Sequence, residues 1–483
     1  MKKAAVIFII YALLIAVFCG CKSNKSDDTT DTESASAETE AHTAEQTEAP
    51  EYSPALPNER FDGAFSILCA GGEGSAAGDL CAQQDGVTAN GARLREEALK
   101  SRFGAELDLT LSEDTFSALR LSVMGGDGKY DAVVGTSGSL ASNAASGDLL
   151  DLYTTEGLDL SKSYWDQSAN KYLSVGGKLY FTAGDILTSE DDHTRVMIFN
   201  KKLARDYGIG DLYKTVESGK WTFDRFYTVI KGGDSAAIIS DGYSSFALAA
   251  DCDAAYGFFY SAGLAFAAKN ESDVPYFDSS QDRTKKVQEV LDYSLKVLRD
   301  PALTFDASKD QSEGGAREKL AAAFCEGRAL FCCETLSAAA YFREAGADAG
   351  ILPMPKFDAD QKDYVTYVDP EAMLVGIPVY RAENGGARRC GVILEALAYY
   401  GYKYITPDHT ESITGGDGKD AAMLKTVFKN RIYDFGLIND WGTVASSYMT
   451  LVSENKNNYT ASFSRISRSA KNKLDNFLSK ILG

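Results

Sequence analysis

The stretch Arg195-Val-Met-Ile-Phe-Asn-Lys-Lys-Leu-Ala-Arg-Asp-Tyr-Gly208, continued by Ile-Gly-Asp-Leu-Tyr-Lys-Thr-Val-Glu-Ser-Gly-Lys-Trp-Thr-Phe-Asp-Arg-Phe226, decides the reading of the fold. Val196 to Phe199 is a short apolar run of the kind a buried strand needs. Asn200 can cap a helix over 201–206, because its side-chain oxygen accepts from an amide that the first turn leaves unpaired. Gly208 can end that helix in the left-handed conformation. Thr222 is placed to cap the next helix.

Upstream, strands and helices alternate. Residues 64–70 read as a strand, 92–103 as a helix ended by Gly104, and 105–111 as a second strand. Asp114 caps a helix over 115–124, and 130–134 form a third strand. This alternation implies a parallel sheet with helices outside, where ligands sit beyond the carboxyl ends of strands. That nominates Glu73 after the first strand and Thr136 and Ser137 after the third; the alternative is that they satisfy their own turns. Downstream, Val287, Leu291, Leu295 and Leu298 recur at helical spacing. A helix over 319–325 turns at Gly327 into a strand over 329–333, which presents Glu334 and Thr335 at its end.

Strand, Asn-Lys-x-Leu helix, Tyr207-Gly208 stop and Gly219-Lys-Trp-Thr222, in that order, resemble the lobe-crossing segment of extracellular solute-binding proteins of ABC importers, in the carbohydrate-type, family 1-like group. Gly147-Asp-Leu-Leu-Asp-Leu152, the run 158–166, Val175 to Asp185, Pro353-Met-Pro-Lys356, Arg431 to Gly436 and Asn439-Asp-Trp-Gly442 continue the resemblance. It implies an α/β, two-lobe, type II periplasmic-binding-protein-like fold, each lobe a mostly parallel sheet flanked by helices, joined by hinge crossings. The implied division is lobe 1 over 60–194 plus 325–364, lobe 2 over 195–324 plus 365–455, and a C-terminal helix over 456–483. The implied ligand contacts are Asp185 beside the crossing, Glu334 and Thr335 on a strand returning to the first lobe, Glu371 in the loop of the next return, and Trp441 as a stacking ring. Tyr164 and Trp165 stack on a sugar or fill the core. The resemblance implies a monomer that needs no cofactor, binds a small solute such as a sugar or oligosaccharide, and delivers it to permease subunits by hinge closure.

The N-terminus fits an exported protein. Met1-Lys2-Lys3 precedes an uncharged run over 4–18, short for a spanning helix and suited to a signal-peptide core. Gly20-Cys21 resembles a bacterial lipoprotein junction, with lipidation at Cys21 and residues 1–20 removed; Cys19 and an uncleaved membrane anchor are the other readings. The expected location is the extracellular face of the cell membrane, held there by the lipid. Residues 22–59 carry ten acids and two lysines with almost no large apolar side chain, the composition of a self-repelling tether over 21–59.

The net charge of −20 argues against a nucleic-acid partner. Seven cysteines remain beyond the export signal, an odd number without a CxxC pair; Cys69 and Cys81 can pair, or all seven can be small buried hydrophobes. Three histidines and no Gly-x-Ser-x-Gly or His-Glu-x-x-His leave triad and zinc hydrolases unsupported, and no metal site is expected. An extracellular glycoside hydrolase, which needs only two carboxylates, and a non-transport sensor or adhesin are the alternatives. The apolar face Ile466, Ala470, Leu474, Phe477, Leu478, Ile481 of the tail predicts a helix docked on the body or lying on a membrane.

Overall fold

The computed structural model describes residues 56–71, 79–80, 86–232, 246–309, 315–383 and 385–483. The expected signal peptide, Cys21, the expected tether up to residue 55, Glu73, Cys81 and a strand expected over 236–239 lie outside the described residues; the last residues assigned to the tether are docked on the body, with Leu56 buried in the core and Glu59 paired with Arg388.

In chain order the strands are β1 (Gly63–Ala70), β2 (Ala105–Ser112), β3 (Ala132–Thr136), β4 (Phe181–Thr182), β5 (Arg195–Asn200), β6 (Phe246–Ala250), β7 (Ala268–Lys269), β8 (Pro275–Tyr276), β9 (Thr304–Asp306), β10 (Ala329–Thr335), β11 (Ala349–Leu352), β12 (Thr366–Tyr367), β13 (Met373–Gly376) and β14 (Arg431–Ile432). Ten of them build two five-stranded sheets, ordered β2-β1-β3-β13-β4 and β11-β5-β10-β6-β9, and the others pair as β12-β14 and β7-β8. In the first, β1 runs parallel to β2 and β3, while β13 runs against β3 and β4. In the second, β10, β6 and β9 are parallel, and β5 runs against both β10 and β11.

The pairing overturns the division of the chain expected from sequence. β10 and β11, within 325–364, bond to β5 and β6 and belong to the second sheet. β13, within 365–455, belongs to the first. β10 is buried along its whole length and fills the centre of the second sheet, where β5 and β6 satisfy its amides and carbonyls from both sides.

The opening stretch forms as its residues dictate. β5 is buried throughout. Asn200 Oδ1 accepts the Leu203 amide at 3.0 Å and starts the helix Lys201–Asp206, and Gly208 sits at φ 67. Thr222 caps Phe223–Ile230 by accepting the Arg225 amide at 3.2 Å. Trp221 is fully buried; its indole donates to the Pro353 carbonyl at 2.9 Å and its ring meets Phe226 and Phe331. That ties the segment to the chain around β10 and β11.

Two segments carry the chain from a strand of one sheet to a strand of the other, 183–194 from β4 to β5 and 353–372 from β11 to β13, and 431–438 runs beside them. They are laced together by the bridge between Thr194 and Val368 and by the ladder of β12 with β14. The C-terminal helix Tyr459–Ile481 docks on the body: Tyr459, Phe463 and Ala470 enter the core around the second sheet, and Leu474, Phe477 and Ile481 enter the core around the first. No helix among the described residues is long and apolar enough to cross a membrane. Cys69, Cys252, Cys325, Cys332, Cys333 and Cys390 are unpaired.

Candidate ligand site at the strand ends

Polar residues gather at the carboxyl ends of the parallel strands of the second sheet. Asp251 follows β6, and Glu334 and Thr335 close β10. Because β5 runs the other way, its first residue, Arg195, pairs with Thr335 and joins the group. Arg195 is 3% exposed; its guanidinium lies 3.6 Å from Asp251 and donates to the Cys333 carbonyl at 3.4 Å. Glu334 accepts from Arg317 at 3.1 Å and from the Thr335 amide at 3.0 Å. Arg317 also donates to the Thr335 hydroxyl at 2.9 Å.

The two carboxylates differ in environment. Burial pushes Glu334 up, yet Arg195, the Thr335 amide and Arg317 outweigh it and hold the carboxyl below its ordinary value. At Asp251 burial wins over the pull of Arg195 and the carboxyl rises to about 6. Burial also raises Asp253, against Arg195. Among the described residues, Arg195 Nε, Asp251 Oδ1 and the Tyr367 hydroxyl have no hydrogen-bond partner in the chain. Each such atom costs about 1–3 kcal/mol when left unfilled, which a ligand hydroxyl in the right place recovers.

The first sheet reaches the same region through backbone bonds. β3 ends at Thr136, whose hydroxyl caps the helix Ser137–Ala145 by accepting the Ser139 amide at 3.4 Å. The Ser137 amide donates to the Pro370 carbonyl at 3.2 Å, and the neighbouring Asp369 amide donates to the His193 carbonyl at 3.0 Å. The end of β3, the loop before β13 and the approach to Arg195 are therefore stitched together. Tyr256, half-buried, is where they converge electrostatically: burial, Asp253, Asp440 and Asp369 all raise its phenol. The group offers fixed donors, fixed acceptors and one aromatic ring. Among the described residues no cluster of three or more His, Cys, Asp and Glu is placed to hold a metal ion.

Comparison with solved structures identifies the fold. A cyclo/maltodextrin-binding protein complexed with maltotetraose aligns over 86% of this chain and 98% of its own, with a TM-score of 0.56 at 17% identity. The chain has the type II periplasmic-binding-protein fold. The maltose-binding periplasmic protein MalE of Listeria monocytogenes, solved with maltose, aligns over 86% and 98% with a TM-score of 0.54 at 14% identity. MalX of Streptococcus pneumoniae, in complex with maltopentaose, aligns over 85% and 100% with a TM-score of 0.52 at 16% identity. No family model and no curated protein matches the sequence.

Within this type II fold the nominated residues separate. Glu334 and Thr335 fall in the Arg195 group, at the end of a second-lobe strand rather than on a return to the first lobe. Thr136 and Ser137 end β3 on the other lobe. Glu371 is exposed, its amide donated to Asp369 at 3.0 Å. Asp185 lines a different cavity, beside Trp165, Glu190 and Arg431.

The two tryptophans are corrections. Trp441 is 6% exposed, packed between Phe277 and Phe477 under the C-terminal helix, so its ring has no face for a sugar. Trp165 is 2% exposed and donates its indole N–H to Glu395 at 2.9 Å, which makes it a packing residue. Sequence reasoning missed Arg195, Asp251, Asp253, Tyr256, Tyr367 and Asp369. One signal was present: an arginine that opens an otherwise apolar buried strand needs carboxylate partners.

Proposed function

We propose that the chain is a lipid-anchored extracellular receptor that captures a sugar or oligosaccharide between its two lobes and releases it, unaltered, to an ABC permease. The observation that carries this reading is the group at the strand ends, where Arg195, Asp251 and Tyr367 hold unfilled donors and acceptors next to the paired Glu334. Sugar hydroxyls both donate and accept, which is what such a mixed set requires. The Tyr256 ring supplies an apolar face beside it. The fold relatives were solved with maltose, maltotetraose and maltopentaose, which supports an oligosaccharide in the same kind of cleft. The segments that cross between the two sheets form the hinge on which the lobes close. Cys21 carries the lipid, and the acidic segment from there to residue 55 gives the body reach from the membrane.

The test is a thermal-shift and calorimetric screen over linear and cyclic oligosaccharides. A ligand at a hundred times its Kd adds about 2.7 kcal/mol of stability. Stabilisation by one sugar class, with that sugar recovered unchanged, agrees with the proposal. No stabilisation by any sugar, or a new product on incubation, refutes it.

A further inference from the structure

A second polar cavity lies away from the Arg195 group. It has a volume of about 540 Å³ and is walled by residues 163–168, the crossing segment 184–191, the helix Gly418–Lys429 and β14. Arg431 is in its wall and is 7% exposed. Its Nη2 lies 2.9 Å from Asp166 and its Nη1 bonds Asp191, but its Nε has no partner among the described residues. Glu190 faces the same cavity, is 4% exposed, and its Oε2 likewise has no partner. Asp185 completes the wall and accepts the Thr406 hydroxyl at 2.6 Å.

The inner wall thus sets four carboxylates around one guanidinium that two of them already occupy. One buried acceptor and one buried donor remain unfilled within it. Burial, with Asp191 and Asp166 beside them, pushes Glu190 well above its ordinary value and Asp185 up to about 7, a cost that a cation placed between the two carboxyls would relieve. The outer edge has the opposite sign, because Lys425 and Lys429 stand exposed there. A molecule that suits the cavity therefore carries a cation at its inner end and an anion at its outer end.

We propose that this cavity binds a small zwitterion, with its ammonium group on Glu190 and Asp185 and its anionic group reaching Lys425 and Lys429 at the outer edge. The site shares no residue with the Arg195 group, so it stands or falls independently of sugar capture.

The test is calorimetry on the full-length chain with 4-aminobutanoate and 6-aminohexanoate, using butylamine, hexylamine, butanoate and hexanoate as one-ended controls. At least one zwitterion is expected to bind ten or more times as tightly as its controls. Glu190→Gln is expected to weaken that binding at least tenfold. Lys425→Ala, at an exposed position whose loss leaves the fold intact, is expected to weaken it about threefold. Absence of binding by both zwitterions, equal binding of a one-ended control, or wild-type affinity in both variants overturns the proposal. So does binding that Glu334→Gln abolishes and Glu190→Gln leaves alone, because the probe is then in the other site.

Discussion

Replacing Asp185 by asparagine is expected to stabilise the protein, and more so at alkaline pH. The backbone of this residue lies against the helix Gly386–Tyr404, where a Cβ on Gly401 would stand 1.6 Å from the Asp185 carbonyl oxygen, and its carboxyl lines the cavity described above. Burial is the main cause that pushes its carboxyl from the ordinary 3.8 up to about 7, with the Thr406 hydroxyl and Arg431 pulling down and Asp191 and Asp166 adding to the rise. A carboxyl that is raised in the folded state binds its proton there more tightly than in the unfolded chain. It therefore costs nothing below pH 3.8, and its cost grows as pH climbs to about 7, above which it is constant. At 1.36 kcal/mol per pH unit, the cost is about 1.5 kcal/mol at pH 5 and about 4 kcal/mol at pH 8. Asparagine keeps an acceptor for Thr406 and carries no charge. Urea unfolding of both proteins at the two pH values reads the effect, and comparing the same variant at two pH values cancels whatever the amide itself contributes. The gain from Asp185→Asn should be larger at pH 8 by about 2–3 kcal/mol. A gain or loss of the same size at both values refutes the account of Asp185.

Three further outcomes follow from the packing and the site. Glu334→Ala removes the acceptor of Arg317 and of the Thr335 amide, so sugar affinity should fall about tenfold to a hundredfold in calorimetry, and an unchanged Kd takes Glu334 out of the site. Trp441→Ala should cost about 3–5 kcal/mol in denaturant unfolding while Kd stays at the wild-type value, the opposite of what a stacking ring would do. Gly442→Ala places a Cβ 2.6 Å from the backbone of Ala470 at a residue with φ 67, so the C-terminal helix should loosen; hydrogen exchange over 459–481 should rise, and unchanged protection contradicts the docking described above.

Much of the first sheet and of the opening stretch was legible because local rules govern them. Caps at Asp114, Asn200 and Thr222 and the left-handed glycines at 104 and 208 act within one helical turn, and each formed where the residues placed it. The strands β1 and β3 announce themselves as apolar runs between turns, and β2 as an alternation of apolar and polar residues. What the residues could not announce was which sheet β10 would join. Its run Ala329 to Cys333 is equally apolar on either side of the hinge, and only pairing with β5 and β6, far away in sequence, chooses between them.

The same division holds for the site. Glu334 and Thr335 could be nominated because they end a strand, and strand ends carry ligands in open α/β sheets. Arg195 could not be seen as their partner, because the antiparallel reversal of β5 that brings it to Thr335 is a property of the assembled sheet. Trp441 looked like a stacking ring until the C-terminal helix, which begins after it, was folded back to cover it. Helix caps and strand periodicity are short-range chemistry and can be read along the chain. Partners, burial and the charge around a carboxylate are set by residues that meet only after the chain has folded, and so tertiary structure alone decided them.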